Sequence, residues 1–273
     1  MRLGAVPALL PLLAVILVPG LASAGPWTKG PRSGYVKVGV NTFASDRYVD
    51  ARGNPVENAH YLAFDAATYF EWGLAKGLHA QGYVPFQFAT QRFDDGREGA
   101  AVGLSDTLLA LQYSPPSLPF PLAGRLEVKL PFYSVSNTVE DPSLGDGQVD
   151  LTLWLSAGGS AADPPVFGYV ELGYRHRTEI FFGTNPGTSP GDGLALFAQA
   201  GWMLFGRLLV SVTAGGIVPF VDDSVTKGYL TVGPALFFAV DEHFAVEASA
   251  SPVVWAKNSA SGFSVALGLS YRQ

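Results

Sequence analysis

Arg125, Glu127 and Lys129 stand two residues apart, interleaved with Leu126, Val128 and Leu130, and Glu171, Arg175 and Arg177 keep the same parity around Leu172, Tyr174 and His176. Successive side chains of a strand point to opposite faces, so each set shares one face. Asp65, Glu71, Asp150 and Glu247 hold matching positions in other alternating stretches, as do Lys37 and His79. Carboxylates and cations gathered on one face, with hydrocarbon on the other, can pair with one another, hold water, or bias the passage of ions.

Catalysis asks for something different. His60, His79, His176 and His243 are scattered singly, with no zinc signature, phosphate loop, nucleophile elbow or dinucleotide fingerprint. A membrane esterase needs a serine beside a histidine on neighbouring strands, and His176, the one outward candidate, has no serine motif to go with it. With Cys 0, thiolate metal sites and cysteine nucleophiles are excluded. The expectation is no enzyme, no metal site and no cofactor. Asp50-Ala51-Arg52-Gly53-Asn54 has Arg52 where a calcium loop needs a second oxygen ligand, and Asp94, Asp95 and Glu98 read as solvated loop carboxylates.

The elements that carry these residues follow from composition and period. Charged residues make up 15% of the chain, well below the roughly 25% of soluble domains. With a net charge of −6, that argues against a nucleic-acid partner. The 32 Gly and 20 Pro penalise long helices, while 48% of residues are hydrophobic. Met1-Arg2, an apolar run to residue 18, and Ala22-Ser23-Ala24 read as a secretory signal over 1–24, cleaved after Ala24, leaving 25–273 as one domain.

In that domain a two-residue period recurs in twelve segments: 34–43, 61–73, 78–89, 104–113, 122–132, 148–156, 166–177, 194–204, 208–217, 229–238, 244–254 and 262–271. Such lengths match strands tilted across a bilayer. The connections alternate between long (44–60, 90–103, 133–147, 178–193, 218–228, 255–261) and short (74–77, 114–121, 157–165, 205–207, 239–243). This predicts an all-β, antiparallel up-and-down transmembrane barrel, with long external loops and short periplasmic turns. The apolar stretch 193–221 also admits a membrane helix, but Arg207 in its middle and its several glycines favour a hairpin turning at Phe205-Gly206-Arg207.

Aromatic residues on the outward face gather near strand ends. Trp72, Tyr113, Trp202, Phe238, Phe244 and Tyr271 are expected to ring the periplasmic edge, and Phe64, Phe86, Phe88, Phe132, Tyr174 and Phe263 the external edge, where amphipathic rings prefer the headgroup layer.

Pro26-Trp27-Thr28-Lys29-Gly30 leading into Gly34-Tyr35, Ser45-Asp46-Arg47-Tyr48, Leu144-Gly145-Asp146-Gly147-Gln148-Val149-Asp150 and Glu171-Leu172-Gly173-Tyr174-Arg175 resemble segments of the outer-membrane barrels described as XagA-like, which are similar in turn to phenol meta-pathway transporters. The resemblance covers residues 26 to 177. It implies a barrel associated with solute passage or adhesion and leaves the substrate open. The Pro-rich turn 115–121 departs from that pattern by its length.

The resulting expectation is a barrel in the outer membrane of a Gram-negative bacterium. Its lumen carries Arg125, Glu127, Lys129, Asp150, Glu171, Arg175, Arg177, Asp65, Glu71 and Glu247, with a basic wall fixed by Asp150 facing a more acidic one. Two functions fit: a narrow channel for small solutes, or a non-transporting surface or adhesion barrel closed by its own ion pairs. Outer-membrane lipid, lipopolysaccharide and the barrel-assembly machinery are the expected partners. Lys129→Ala is expected to be mild in folding assays, as a lumen substitution.

Overall fold

The computed structural model describes residues 25–56, 59–133, 141–182, 190–223 and 225–273; residues 1–24, where the signal is expected, and parts of four long connections lie outside the described residues. Twelve antiparallel strands form a closed barrel: β1 (Gly34–Ser45), β2 (Ala59–Ala75), β3 (Leu78–Phe93), β4 (Glu98–Leu104 continuing as Asp106–Tyr113), β5 (Leu122–Pro131), β6 (Gln148–Ala162), β7 (Pro165–Phe181), β8 (Gly193–Leu204), β9 (Leu208–Pro219), β10 (Gly228–Ala239), β11 (Phe244–Lys257) and β12 (Phe263–Arg272). Each pairs with the next, and β1 pairs with β12 from Tyr35↔Arg272 to Ala44↔Phe263, which closes the wall. Closure leaves the spanning wall without a sheet edge, whereas the Glu98–Leu104 run beyond it pairs only with β3.

The outer face is hydrocarbon and the inner face polar. Val36, Val38, Leu126, Leu153, Leu155, Val170, Leu172, Leu267 and Leu269 are exposed, whereas Gln112, Asp150, Ser156 and Glu171 are buried. This is the reverse of a water-soluble domain and the arrangement a bilayer selects. Along β12 the exposure alternates without a break from Phe263 to Leu269. The aromatics expected at the periplasmic edge are all exposed on the outer face, and register brings Phe244 opposite Tyr271 and puts Trp72 and Trp202 at strand ends.

Several strands run further than their periodic cores. β4 begins at Glu98 rather than 104, so the excursion 90–103 is an extended hairpin that turns through Gly96 at φ 89°. Its rungs to β3 are interrupted at Ser105, whose N–H is bound by the Pro85 carbonyl at 3.0 Å. β6 and β7 extend until only Asp163 and Pro164 join them. The stretch 193–221 is a hairpin, with Leu204 opposite Leu208. Phe205 and Gly206 both have positive φ, 53° and 68°, the turn geometry that suits the twist of two antiparallel strands.

The ladder between β10 and β11 is interrupted as well. Between β10 and β11 the rungs cover Gly228–Thr231 and Ala235–Ala239 but skip Val232-Gly233-Pro234 opposite Ala250-Ser251-Pro252. Proline has no N–H to donate to a ladder.

At one end, Tyr48–Val49 and Pro55–Val56 form a small hairpin that also pairs Ser259–Ala260, with Gly53 at its exposed tip. From the alternation of connection lengths this end is expected to lie outside the cell. A peptide tag inserted between Gly53 and Asn54 is therefore expected to be labelled on intact cells; labelling only after permeabilisation would invert the barrel.

Candidate functional site: the lumen

Lumen charges collect on the wall formed by β4 to β7. The register sets Lys129 of β5 and Arg177 of β7 directly opposite Asp150 of β6, with Arg175 one step along the same face. Asp150 is fully buried, with its carboxylate 3.0 Å from Lys129 Nζ, 3.0 Å from Arg175 Nε and 3.4 Å from Arg177 Nε. Lys129 also meets Asp106 at 3.2 Å, and the Tyr133 hydroxyl donates to the same Asp106. Charges this dry are stable only when paired on every side.

The network reaches across the external mouth. Asp146, in the connection ahead of β6, pairs with Arg177 and, at 2.9 Å, with Lys227 in the connection ahead of β10. Burial alone raises the Asp146 pKa, but Lys227, Arg177 and Lys129 together outweigh it and hold the carboxyl well below its usual range. This pairing contributes stability above the ordinary carboxylate pKa and loses it only when pH falls through the depressed value.

Toward the periplasm, Arg125 and Glu171 form a two-pronged pair at 3.3 and 3.1 Å. Ser156 donates to Glu171 at 2.6 Å, and Arg125 lies 4.8 Å over the Trp154 ring. Planar guanidinium suits both contacts.

A second cluster joins β1, β2, β11 and the segment before β1. Tyr69 donates to Glu71 at 2.6 Å and Lys29 pairs with Glu71 at 3.5 Å. Lys29 also lies 5.2 Å over the Tyr35 ring, and Tyr35 donates to Glu247. Lys37 binds Glu247 at 3.1 Å and sits 5.9 Å from the Tyr69 ring centre, which completes a hoop of two lysines, two glutamates and two tyrosines.

Opposite the ionic wall lies a chamber of about 450 Å³. Tyr69, Tyr83, Phe167, Tyr169, Phe197 and Phe237 supply aromatic faces, while Asn41, Gln199, Ser211, Thr213 and Ser249 supply amides and hydroxyls. Of the charges, only the paired Lys37 and Glu247 line it.

All ten residues expected in the lumen lie on its inner face, with Glu127 between Arg125 and Lys129. The opposed basic and acidic walls do not form. Arg125 is bound by Glu171 rather than Asp150, Glu71 by Lys29, Glu247 by Lys37, and Asp65 accepts from Asn41 at 3.1 Å, because each of these charges finds a partner one or two strands away or on the segment before β1. Lys129 is also more tightly held than a tolerant lumen position. Sequence reasoning missed Asp106 and Asp146, since Asp106 adjoins the interruption at Ser105 and Asp146 sits in a connection. It missed Lys29 and Trp27 because no period marks the segment before β1. His176, the candidate base, contacts Asp192 at 3.2 Å on the exposed side.

No protein-family model matches the sequence, and no curated protein sequence matches it. Among solved structures the chain is similar to the COG4313 outer membrane channel from Pseudomonas putida F1, at 8% identity and a TM-score of 0.72 over 93% of this chain and 100% of that one. It is also similar to the NanC porin, at 9% identity and a TM-score of 0.52 over 87% of this chain and 100% of that one. At such identities the likeness lies in the fold: this chain has the closed, twelve-stranded barrel architecture of outer-membrane proteins.

Proposed function

We propose that this chain is a narrow outer-membrane channel for small, largely uncharged solutes. The chamber carries the reading. It is a wet space of about 450 Å³ whose free surface is aromatic rings, amides and hydroxyls, while most of the charge is locked into the wall opposite. Rings bind apolar faces and amides bind hydroxyls, so a solute of mixed character is favoured over a bare ion. The ten lumen residues then act chiefly as the scaffold that keeps the chamber open, and only Glu247, with Lys37, meets the solute directly. Export by a signal cleaved after Ala24, insertion by the barrel-assembly machinery, contact with lipopolysaccharide, and kinship with XagA-like or phenol meta-pathway transporter-like barrels belong to the same proposal.

A second reading, a non-transporting surface or adhesion barrel, draws on the Asp150 network, which fills much of one side with paired charge. Liposome swelling separates the two. Liposomes holding the purified protein are expected to admit small neutral sugars and amino acids and to exclude longer oligosaccharides. Swelling no faster than in protein-free liposomes would favour the closed barrel.

A further inference from the structure

Residues 25–33 do not trail from the barrel. They cross its lumen. Near β2 the crossing is pinned by backbone bonds from Arg32 N–H to the Gly73 carbonyl and from Gly73 N–H to the Ser33 carbonyl, both 2.9 Å. A Cβ at Gly73 would overlap the Gly30 carbonyl oxygen, so glycine is required for this close approach. From there Lys29 enters the hoop between Glu71 and the Tyr35 ring. Trp27 lies edge-on to Phe167 and Tyr169, at centroid distances of 6.4 and 5.8 Å. Gly25 rests on the face of Tyr169, and its carbonyl accepts from the buried Gln112 amide at 2.8 Å.

The crossing lies on the route from the chamber to the periplasm. Tyr69, Phe167 and Tyr169 line the chamber and are held from the other side by this segment or its latch. Lys29, Tyr35 and Phe237 line a small cleft at the periplasmic mouth, beside Asp241, His243 and Arg272. Unlike the wall strands, the far end of the strap is held, among the described residues, by one amide hydrogen bond, one ion pair, ring contacts and the burial of Gly25 and Pro26. Water and solute can replace each of these. With residues 1–24 removed by export, the strap's covalent tie to the wall would be at Gly34 alone.

We propose that Gly25–Ser33 is a displaceable strap across the conduit, latched by Lys29 on Glu71 and clamped by Trp27, and that solute passes when the strap is drawn aside. This rests on the channel reading above.

The test is single-channel recording in planar bilayers with the mature protein, the Trp27→Ala/Lys29→Ala double variant, a Lys29→Arg variant and a deletion of residues 26–29. The mature protein should open briefly between long closures. The double variant should be open several-fold more of the time, the deletion should also carry a larger unit current, and Lys29→Arg should gate as the mature protein does. The double variant keeps the chain length, so it decides the matter if the deletion does not fold. Equal open times and unit currents in all folded forms would overturn the strap and leave the channel standing. No current in any form, with no liposome swelling, would overturn both.

Discussion

Asp150→Ala is expected to lower barrel stability by about 3 to 5 kcal/mol, the cost of removing one partner from a buried ionic cluster. Three cations converge on this carboxylate, Lys129 and Arg177 almost fully buried and Arg175 largely so. Their remaining partners differ. Lys129 retains Asp106 and Arg177 retains Asp146, while Arg175 loses the one ion pair it makes among the described residues. Asp150→Asn keeps the shape and one acceptor oxygen and should fall between the two. Urea unfolding in detergent micelles, followed by tryptophan fluorescence, measures the difference. Because the cluster is shielded from solvent, the loss should change little between low and high salt. A change below about 1 kcal/mol is the range of an exposed pair and would mean that the network is solvated.

Val128→Arg is expected to cost about 2 to 4 kcal/mol, as a cation on the lipid face near mid-membrane. Val128 is flanked by Leu109 on β4 and Leu151 on β6, both exposed on the apolar face. Leu267→Arg on β12 should behave alike, since Leu267 is 56% exposed between Val265 and Leu269. The contrast is Ala266→Arg, one residue away, whose side chain would enter the chamber and meet water. Heat-modifiability on gels gives a quick ranking and equilibrium unfolding the values. Equal losses at 266 and 267 would contradict the assignment of faces, because a one-residue slip exchanges them. Lys129→Ala is unsuited to this comparison, as it empties a buried site among three carboxylates.

The barrel was legible in the sequence because lipid imposes a period of two on every spanning strand. Leu122 to Phe132 shows it in eleven consecutive positions, and the structure keeps β5 within one residue of that range. Strand ends were less legible. Beyond the bilayer on either side both faces meet water, the period fades, and β3, β6 and β7 continue into stretches that read as connections. Inward parity of the charges followed from alternation alone. Their partners did not, because pairing depends on inter-strand stagger and on segments with no period. Lys29 shows the difficulty most clearly: next to Trp27 and between glycine-rich stretches it reads as a leader to β1, and only the fold brings it to Glu71.

The skipped rungs opposite Pro234 and Pro252 bear on the mechanics of the tube. From β4 to β7 the wall is cross-braced twice, by backbone rungs and by the Asp150 cluster, and it should move as a stiff plate. Between β10 and β11, in the wall that carries the chamber, the rungs lapse near mid-height. A closed ring under thermal load bends where it is least braced, so the cross-section should breathe from round to oval about this crease. The bore then varies on the aromatic side, while the ionic side keeps its shape.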